Sequence, residues 1–108
     1  MSVGKIFQRE RDRVFPDRGL VLVDFWAPWC DVCQGTSLLA DELAEKYRGK
    51  LVKIKVNVDD QPVLAARFHV HDVPTLALVR EGELIEQFVG FTAMEKIQEA
   101  IERVLERQ

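Results

Sequence analysis

The stretch LVLVDFWAPWCDVC, residues 20–33, places an apolar, β-branched segment directly before two cysteines that stand three positions apart. Residues 20–26 are short and almost wholly apolar, which predicts a strand covered on both faces. Leu39, Leu43 and Tyr47 then recur every four residues, which predicts a helix over about residues 31–48. The sequence therefore predicts a pair of cysteines at the junction of a buried strand and a helix.

Three further strands are predicted downstream. Residues 51–58 alternate apolar and polar side chains, as one half-buried strand does. A helix connects this strand to the first one, so the two should be parallel with a right-handed crossover. Residues 76–80 and 84–89 flank Glu-Gly-Glu at 81–83 and are predicted to form a hairpin.

Helices are predicted between and after these strands. Pro62 is placed to begin a short helix, and Thr92 and Glu95 form a capping box before a long amphipathic one. A weaker helical pattern covers residues 3–15. The order of the elements predicts an α/β protein whose mixed sheet is parallel first and antiparallel at the end, in a single domain over residues 1–108.

The composition restricts the class of protein. The chain has 108 residues, of which 47% are hydrophobic and 31% charged, as in an ordinary globular domain. Its net charge of −3 gives no electrostatic reason to expect nucleic acid or an anionic membrane as a partner. The apolar runs are far shorter than the ~18 residues of a membrane span, and the first residues do not resemble a secretory signal. We therefore expect a cytoplasmic protein.

The position of Cys30 and Cys33 has chemical consequences. The free N–H groups and the dipole at a helix N-terminus favour the thiolate over the thiol. The second cysteine lies one turn further on, so a disulfide between the two can form with little movement of the backbone. One exposed, ionised sulfur beside a shielded one is the arrangement that thiol–disulfide exchange needs.

Other interpretations of the two cysteines have to be weighed. A Cys-x-x-Cys pair is also half of a zinc site, and His69 and His71 could complete it, although their spacing is not that of a zinc finger. An inert, buried pair is a further alternative. The redox interpretation is favoured, so we expect no metal and no cofactor besides the Cys30–Cys33 disulfide.

Beyond the cysteines, the chain resembles the thioredoxin family over nearly its whole length. Residues 23–30 are similar to the strand that leads into the family's active site, residues 73–75 to its cis-proline loop, and Val89-Gly90 to its substrate-groove glycine. The resemblance implies a thioredoxin fold with a central mixed sheet of four or five strands and about four helices. The family's first strand is not evident in residues 1–8.

The resemblance also implies roles for individual residues. Cys30 is expected to be the attacking thiolate, and Cys33 the resolving thiol that displaces the mixed disulfide. Asp24, inside the apolar strand, is expected to accept the proton of Cys33, with Lys55 as the partner of this carboxyl group. A purely structural Asp24–Lys55 pair is the alternative, because burial raises the pKa of a carboxyl group in structural and catalytic sites alike.

A rim that binds client proteins is implied by the same resemblance. Pro74 is expected to be cis and to place the neighbouring backbone against an extended client peptide. Trp29, Val73, Gly90 and Phe91 would form the apolar surface around it. Trp29 and Phe91 could also be ordinary half-buried aromatic residues.

The chain departs from the family between and after its cysteines. Asp31 and Val32 replace the usual Gly-Pro, Gln34 replaces a lysine, and Leu38 replaces a proline. A carboxylate at position 31 disfavours the neighbouring thiolate, whereas Val32 restores a backbone N–H that could donate to it. These active-site tuning effects oppose each other. We expect a reducing potential, because no histidine lies between the cysteines to mark an oxidant.

The expected function is therefore reduction of protein disulfides. The partners would be disulfide-containing client proteins and a thioredoxin-reductase-type electron donor, because the chain shows no flavin or nicotinamide site of its own. We expect a monomer. A member specialised for few clients or for an unusual reductase is a second possibility. A thioredoxin-like binding or chaperone module, in which the redox pair is secondary, is the alternative from another class.

Overall fold

The first predicted strand, β1 (Leu20–Trp26), is buried along all but its last residue, as its apolar sequence predicts. The structure is a computed structural model and describes residues 19–107. Within that range the remaining elements are α1 (Cys33–Lys46), β2 (Leu51–Asn57), α2 (Pro62–Arg67), β3 (Thr75–Arg80), β4 (Glu83–Val89) and α3 (Met94–Glu106).

The four strands form one mixed sheet in the order β2-β1-β3-β4. β1 is parallel to β2 and antiparallel to β3, and β3 is antiparallel to β4, as predicted. The β3–β4 turn consists of Glu81 and Gly82, both with positive φ. Such a turn matches the twist of the two strands, and glycine adopts its backbone conformation without steric cost.

Alternating side chains of the sheet supply two separate cores. Leu20, Leu22, Leu76 and Leu78 face α1 and α3 and pack against apolar side chains such as Leu43, Ile97 and Ile101. Val21, Val23, Phe25, Ala77 and Val79 face the other side and pack with α2 residues such as Leu64 and with Phe68. This two-residue period places Asp24 on the same face as Leu22, and therefore beneath α1.

Most of the predicted elements are confirmed, with one correction. The long C-terminal helix has Ala93 as its N-cap and no side-chain capping hydrogen bond, so the predicted capping box of Thr92 and Glu95 is wrong. Thr92 instead belongs to the loop before the helix. The helix predicted over residues 3–15, and the question of a fifth strand in residues 1–8, lie outside the described residues. No helix in residues 19–107 is long and apolar enough to cross a membrane.

Candidate active site

The two cysteines form a disulfide where β1 is followed by α1. Cys33 is the first residue of α1, Val32 is its N-cap, and the Cα atoms of Cys30 and Cys33 are 5.5 Å apart. The backbone N–H of Cys33 donates to the carbonyl of Cys30 at 3.3 Å, which closes a turn around the pair. Cys30 is half-buried, whereas Cys33 is only 3% exposed. The two cysteines therefore differ in exposure to solvent, as thiol–disulfide exchange needs.

The first turn of α1 favours negative charge at this junction. It has no side-chain cap and no acidic residue, so its free N–H groups and the helix dipole are not compensated by a side chain of that turn. Asp31 and Val32 both lie between the cysteines with exposed side chains. The backbone at the disulfide is thus electropositive and favours a thiolate there. The negative charge of the exposed Asp31 carboxyl group disfavours one.

A buried carboxyl group lies under this helix. Asp24 is fully buried, and the hydroxyl of Ser37 donates to its Oδ2 atom at 2.5 Å. Its Oδ1 atom has no hydrogen-bond partner among residues 19–107. Burial raises the pKa of Asp24 above its usual value of 3.8; the Ser37 hydrogen bond and the charges of Lys55 and Lys53 oppose this rise, and Asp41 adds to it.

Lys55 lies opposite Asp24 in the register of the parallel strands β1 and β2. Its ammonium group is placed over the ring of Trp26, with Nζ 4.7 Å from the ring centroid. Lys53, also on β2, forms an ion pair with Asp41 of α1. The charge of Lys55 therefore acts on Asp24 from a distance, and the direct polar contact on this carboxyl group comes from α1.

The residues predicted to bind clients surround the disulfide, but they line two separate depressions. Pro74, Gly90 and Phe91 line a groove of about 830 Å³ that also includes Val32 and the outward side of α1. The Val73–Pro74 peptide bond is cis, as predicted, and the N–H of Gly90 donates to the Pro74 carbonyl at 2.8 Å. Phe91 is 89% exposed, which makes it the most prominent apolar side chain of this groove.

Trp29 and Val73 line the second depression, a hollow of about 230 Å³ completed by Val58, Val70, His71 and Asp72. Trp29 is 67% exposed, so it is not an ordinary half-buried aromatic residue. Its indole N–H donates to Oδ2 of Asp59 at 3.1 Å. This hydrogen bond restrains a large apolar side chain, adjacent in sequence to Cys30, while most of the residue stays exposed.

Sequence reasoning did not identify two of these polar contacts. Ser37 follows Cys33 by four positions in a predicted helix, which places both on one helix face. Asp59 follows the end of β2, at the same edge of the sheet as the end of β1. Both positions could have been predicted to lie near the cysteines, but the individual hydrogen bonds depend on how the elements pack.

The zinc alternative receives no support from the geometry. Residues 19–107 contain no group of three or more His, Cys, Asp or Glu side chains placed to hold a metal ion. The two cysteines are instead bonded to each other. The chemistry of the site therefore lies in the disulfide itself, flanked by a buried carboxyl group and an apolar rim.

Comparison with known proteins agrees with this geometry. The thioredoxin family model matches residues 5–103. A thioredoxin from Staphylococcus saprophyticus is 42% identical over 87 residues, which are 81% of this chain and 84% of that protein. The corresponding values for a Staphylococcus aureus thioredoxin are 37% over 105 residues, 97% of this chain and 100% of that protein.

The fold has a close counterpart among solved structures. A mutant thioredoxin from Halobacterium salinarum superimposes with a TM-score of 0.76 at 36% sequence identity, over 89% of this chain and 83% of that one. Family model, relatives and fold agree with the disulfide at the β1–α1 junction. The chain therefore belongs to the thioredoxin family and is a protein-disulfide oxidoreductase that uses its own Cys30–Cys33 disulfide without a bound cofactor.

Proposed function

We propose that Cys30 is the nucleophile and Cys33 the resolving thiol in the reduction of client disulfides. The observation that carries this assignment is the unequal exposure of the two cysteines at the start of α1. The Cys30 thiolate attacks one client sulfur, and the electron pair of the client disulfide leaves with the other. Cys33, after losing its proton, attacks the Cys30 sulfur. The Cys30–Cys33 bond forms, the bond to the client breaks, and the client leaves as a thiolate that takes a proton from solvent.

Asp24 is proposed to accept the proton that Cys33 loses in the second step. Burial makes this carboxyl group a stronger base than an exposed one, because it raises the pKa of Asp24. Lys55 is proposed as its electrostatic partner, acting across the β1–β2 pair. The position of Asp24 beneath the cysteine-bearing helix supports this role.

Client binding is proposed to involve both depressions. Trp29 and Val73 would contact the client on one side of the disulfide, and Pro74, Gly90 and Phe91 on the other. The exposed rings of Trp29 and Phe91 support this proposal, because each lies at a depression beside the disulfide and binding sites are usually concave and apolar. The client is proposed to be a protein with an accessible disulfide.

The residues between the cysteines are proposed to tune the redox potential. The exposed carboxyl group of Asp31 disfavours a neighbouring thiolate, whereas the backbone N–H of Val32 can donate to one. We expect a net potential on the reducing side, because no histidine lies between the cysteines to mark an oxidant. The change Asp31→Gly should lower the pKa of the Cys30 thiol, since it removes a negative charge beside it.

Membership of the thioredoxin family supports a proposal for the cellular setting. A single-domain monomer over residues 1–108 would carry electrons in the cytoplasm from a thioredoxin-reductase-type donor to its clients. The residues that differ from the family pattern, Asp31, Val32 and Gln34, support a specialised member of the family with few clients. The binding or chaperone module remains the alternative, and the intact cysteine pair above a buried carboxyl group argues against it.

Cysteine substitutions test the assignment of nucleophile and resolving thiol. With a disulfide-bonded model client, Cys33→Ser should accumulate a mixed disulfide through Cys30, measured as an adduct by mass spectrometry. The matched variant Cys30→Ser should give little adduct, because its remaining thiol is buried. Equal adduct yields from the two variants would refute the assignment. If the double variant Cys30→Ser, Cys33→Ser still performs the protein's role in the cell, the binding or chaperone module would be favoured.

A further inference from the structure

We propose that Ser37 is a positioning residue that holds Asp24 for the transfer of the Cys33 proton. The inference rests on the proposed role of Asp24 and adds a residue that neither the sequence pattern nor the family resemblance assigns. It is carried by a direct contact between the side chain of Ser37 on α1 and the carboxyl group on β1.

The first observation is the hydrogen bond itself. The hydroxyl of Ser37 donates to Oδ2 of Asp24 at 2.5 Å. Among residues 19–107 no other side chain donates to this carboxyl group, and Oδ1 has no partner there. A hydroxyl that approaches from one side fixes the rotation of the carboxyl group. It leaves the second oxygen available to receive a proton.

The second observation is the position of Ser37 on the helix. It follows Cys33 by four residues, so the two side chains lie on the same face of α1, one turn apart. The period of β1 directs Asp24 towards this helix, together with Leu20 and Leu22. The cysteine that must lose a proton, the proposed acceptor and the hydroxyl therefore share one face between α1 and the sheet.

The third observation concerns the charges around Asp24. Lys53 is paired with Asp41, and the Lys55 ammonium lies over the Trp26 ring, so neither lysine makes a direct ion pair with Asp24. On its other side β1 pairs with β3, where Leu76 is opposite Asp24 and carries no charge. Among residues 19–107 the hydroxyl of Ser37 is the one side-chain group that hydrogen-bonds to this carboxylate, and a hydrogen bond donated to a buried anion is a strong one.

The consequence is a specific effect on proton affinity. A donor to the ionised form favours that form, so the Ser37 hydroxyl lowers the pKa of Asp24 against the larger effect of burial. Without the hydroxyl, more of Asp24 would be protonated at a given pH. It would then be unable to accept the proton of Cys33, and client release would slow at pH values where the parent protein is still competent.

The test compares Ser37→Ala, which removes the donor, with Ser37→Thr, which keeps it. Asp24 protonation is followed in the oxidised protein by the infrared carbonyl band of the protonated carboxyl group, assigned by its loss in Asp24→Asn. Client release is followed as the single-turnover rate at which the Cys30 mixed disulfide resolves. In Ser37→Ala the titration midpoint of Asp24 should rise by about one pH unit or more.

The rate of client release should move with this midpoint. At a fixed pH below the Asp24 midpoint of the parent, client release by Ser37→Ala should be about tenfold slower than by the parent. Ser37→Thr should restore both the midpoint and the release rate. In an Asp24→Asn background, Ser37→Ala should have no effect on the pH dependence of release, because the group that it acts on no longer titrates.

Two results would overturn the inference. An unchanged Asp24 midpoint in Ser37→Ala would show that the hydroxyl does not stabilise the carboxylate. A raised midpoint with an unchanged pH profile of release would show that the contact does not serve proton transfer. In the second case the Asp24→Asn variant identifies the cause: normal release by that variant means that the proposed role of Asp24 has failed. Impaired release means that only the role of Ser37 has failed.

Discussion

Replacing Asp24 by asparagine should make the oxidised protein progressively more stable than the parent as the pH rises above about 4. Asp24 is fully buried in β1, and burial raises the pKa of its carboxyl group above 3.8. Asparagine resembles the protonated form at every pH, and its amide oxygen can still accept the hydrogen bond from Ser37. The comparison therefore isolates the free energy of ionising a carboxyl group inside the sheet.

The magnitude follows from linkage between proton binding and folding. Between pH 3.8 and the higher folded-state pKa, the folded parent keeps a proton on Asp24 that the unfolded chain has lost. Each pH unit in this window therefore costs the parent up to about 1.4 kcal/mol of unfolding free energy, a cost that Asp24→Asn does not have. The difference between the two proteins should stop growing at the folded-state pKa of Asp24.

Urea unfolding of both oxidised proteins, followed by tryptophan fluorescence at half-unit steps from pH 4 to 8, measures this difference. Asp60→Asn is the matched control, because it removes the same charge from an exposed aspartate before α2. The difference in unfolding free energy between Asp60→Asn and the parent should vary much less over the same pH range. A difference for Asp24→Asn that stays constant with pH, or that favours the parent as the pH rises, would refute the reasoning.

Three further outcomes are expected. Tyr47→Phe should lower the free energy of unfolding by about 1 kcal/mol in urea titrations, because the Tyr47 hydroxyl donates to Glu102 at 2.6 Å between the end of α1 and α3; no loss would mean that this bond merely replaces one to water. Leu78→Ala should cost about 2–5 kcal/mol in the same assay, since Leu78 is fully buried, and a loss below 1 kcal/mol would contradict the described core. Phe91→Ala should raise KM for a protein disulfide and leave reduction of a small aromatic disulfide unchanged; an equal effect on both substrates would exclude Phe91 from client binding.

The sequence predicted those parts of the fold that depend on local pattern. β1 could be located because a short, β-branched apolar run is typical of a strand covered on both faces, and the hairpin because Glu81-Gly82 suits a tight turn. The cysteine pair was placed correctly at the junction of β1 and α1 for the same reason. These features need no knowledge of how one element rests on another.

The polar contacts of the site could not be predicted in this way. The hydrogen bond from Ser37 to Asp24 depends on how α1 is rotated above the sheet. The position of Lys55 depends on whether its ammonium group contacts the ring of Trp26 or the carboxyl group of Asp24. The capping box failed because the helix begins at Met94, so its N-cap position falls on Ala93. The roles of individual residues in catalysis and client binding remain predictions, which the experiments above test.

The helix α1 is fixed at the end that lies far from the disulfide. Its last turns bury Ala40 and Leu43, and Tyr47 just beyond them bonds to α3. Reduction and oxidation therefore exchange one covalent bond at the start of an element whose far end is packed into the core. We therefore expect the change in backbone conformation during turnover to be confined to residues 30–33. On this expectation one backbone serves both redox states, and repeated cycles of electron transfer should need no repacking of the interior.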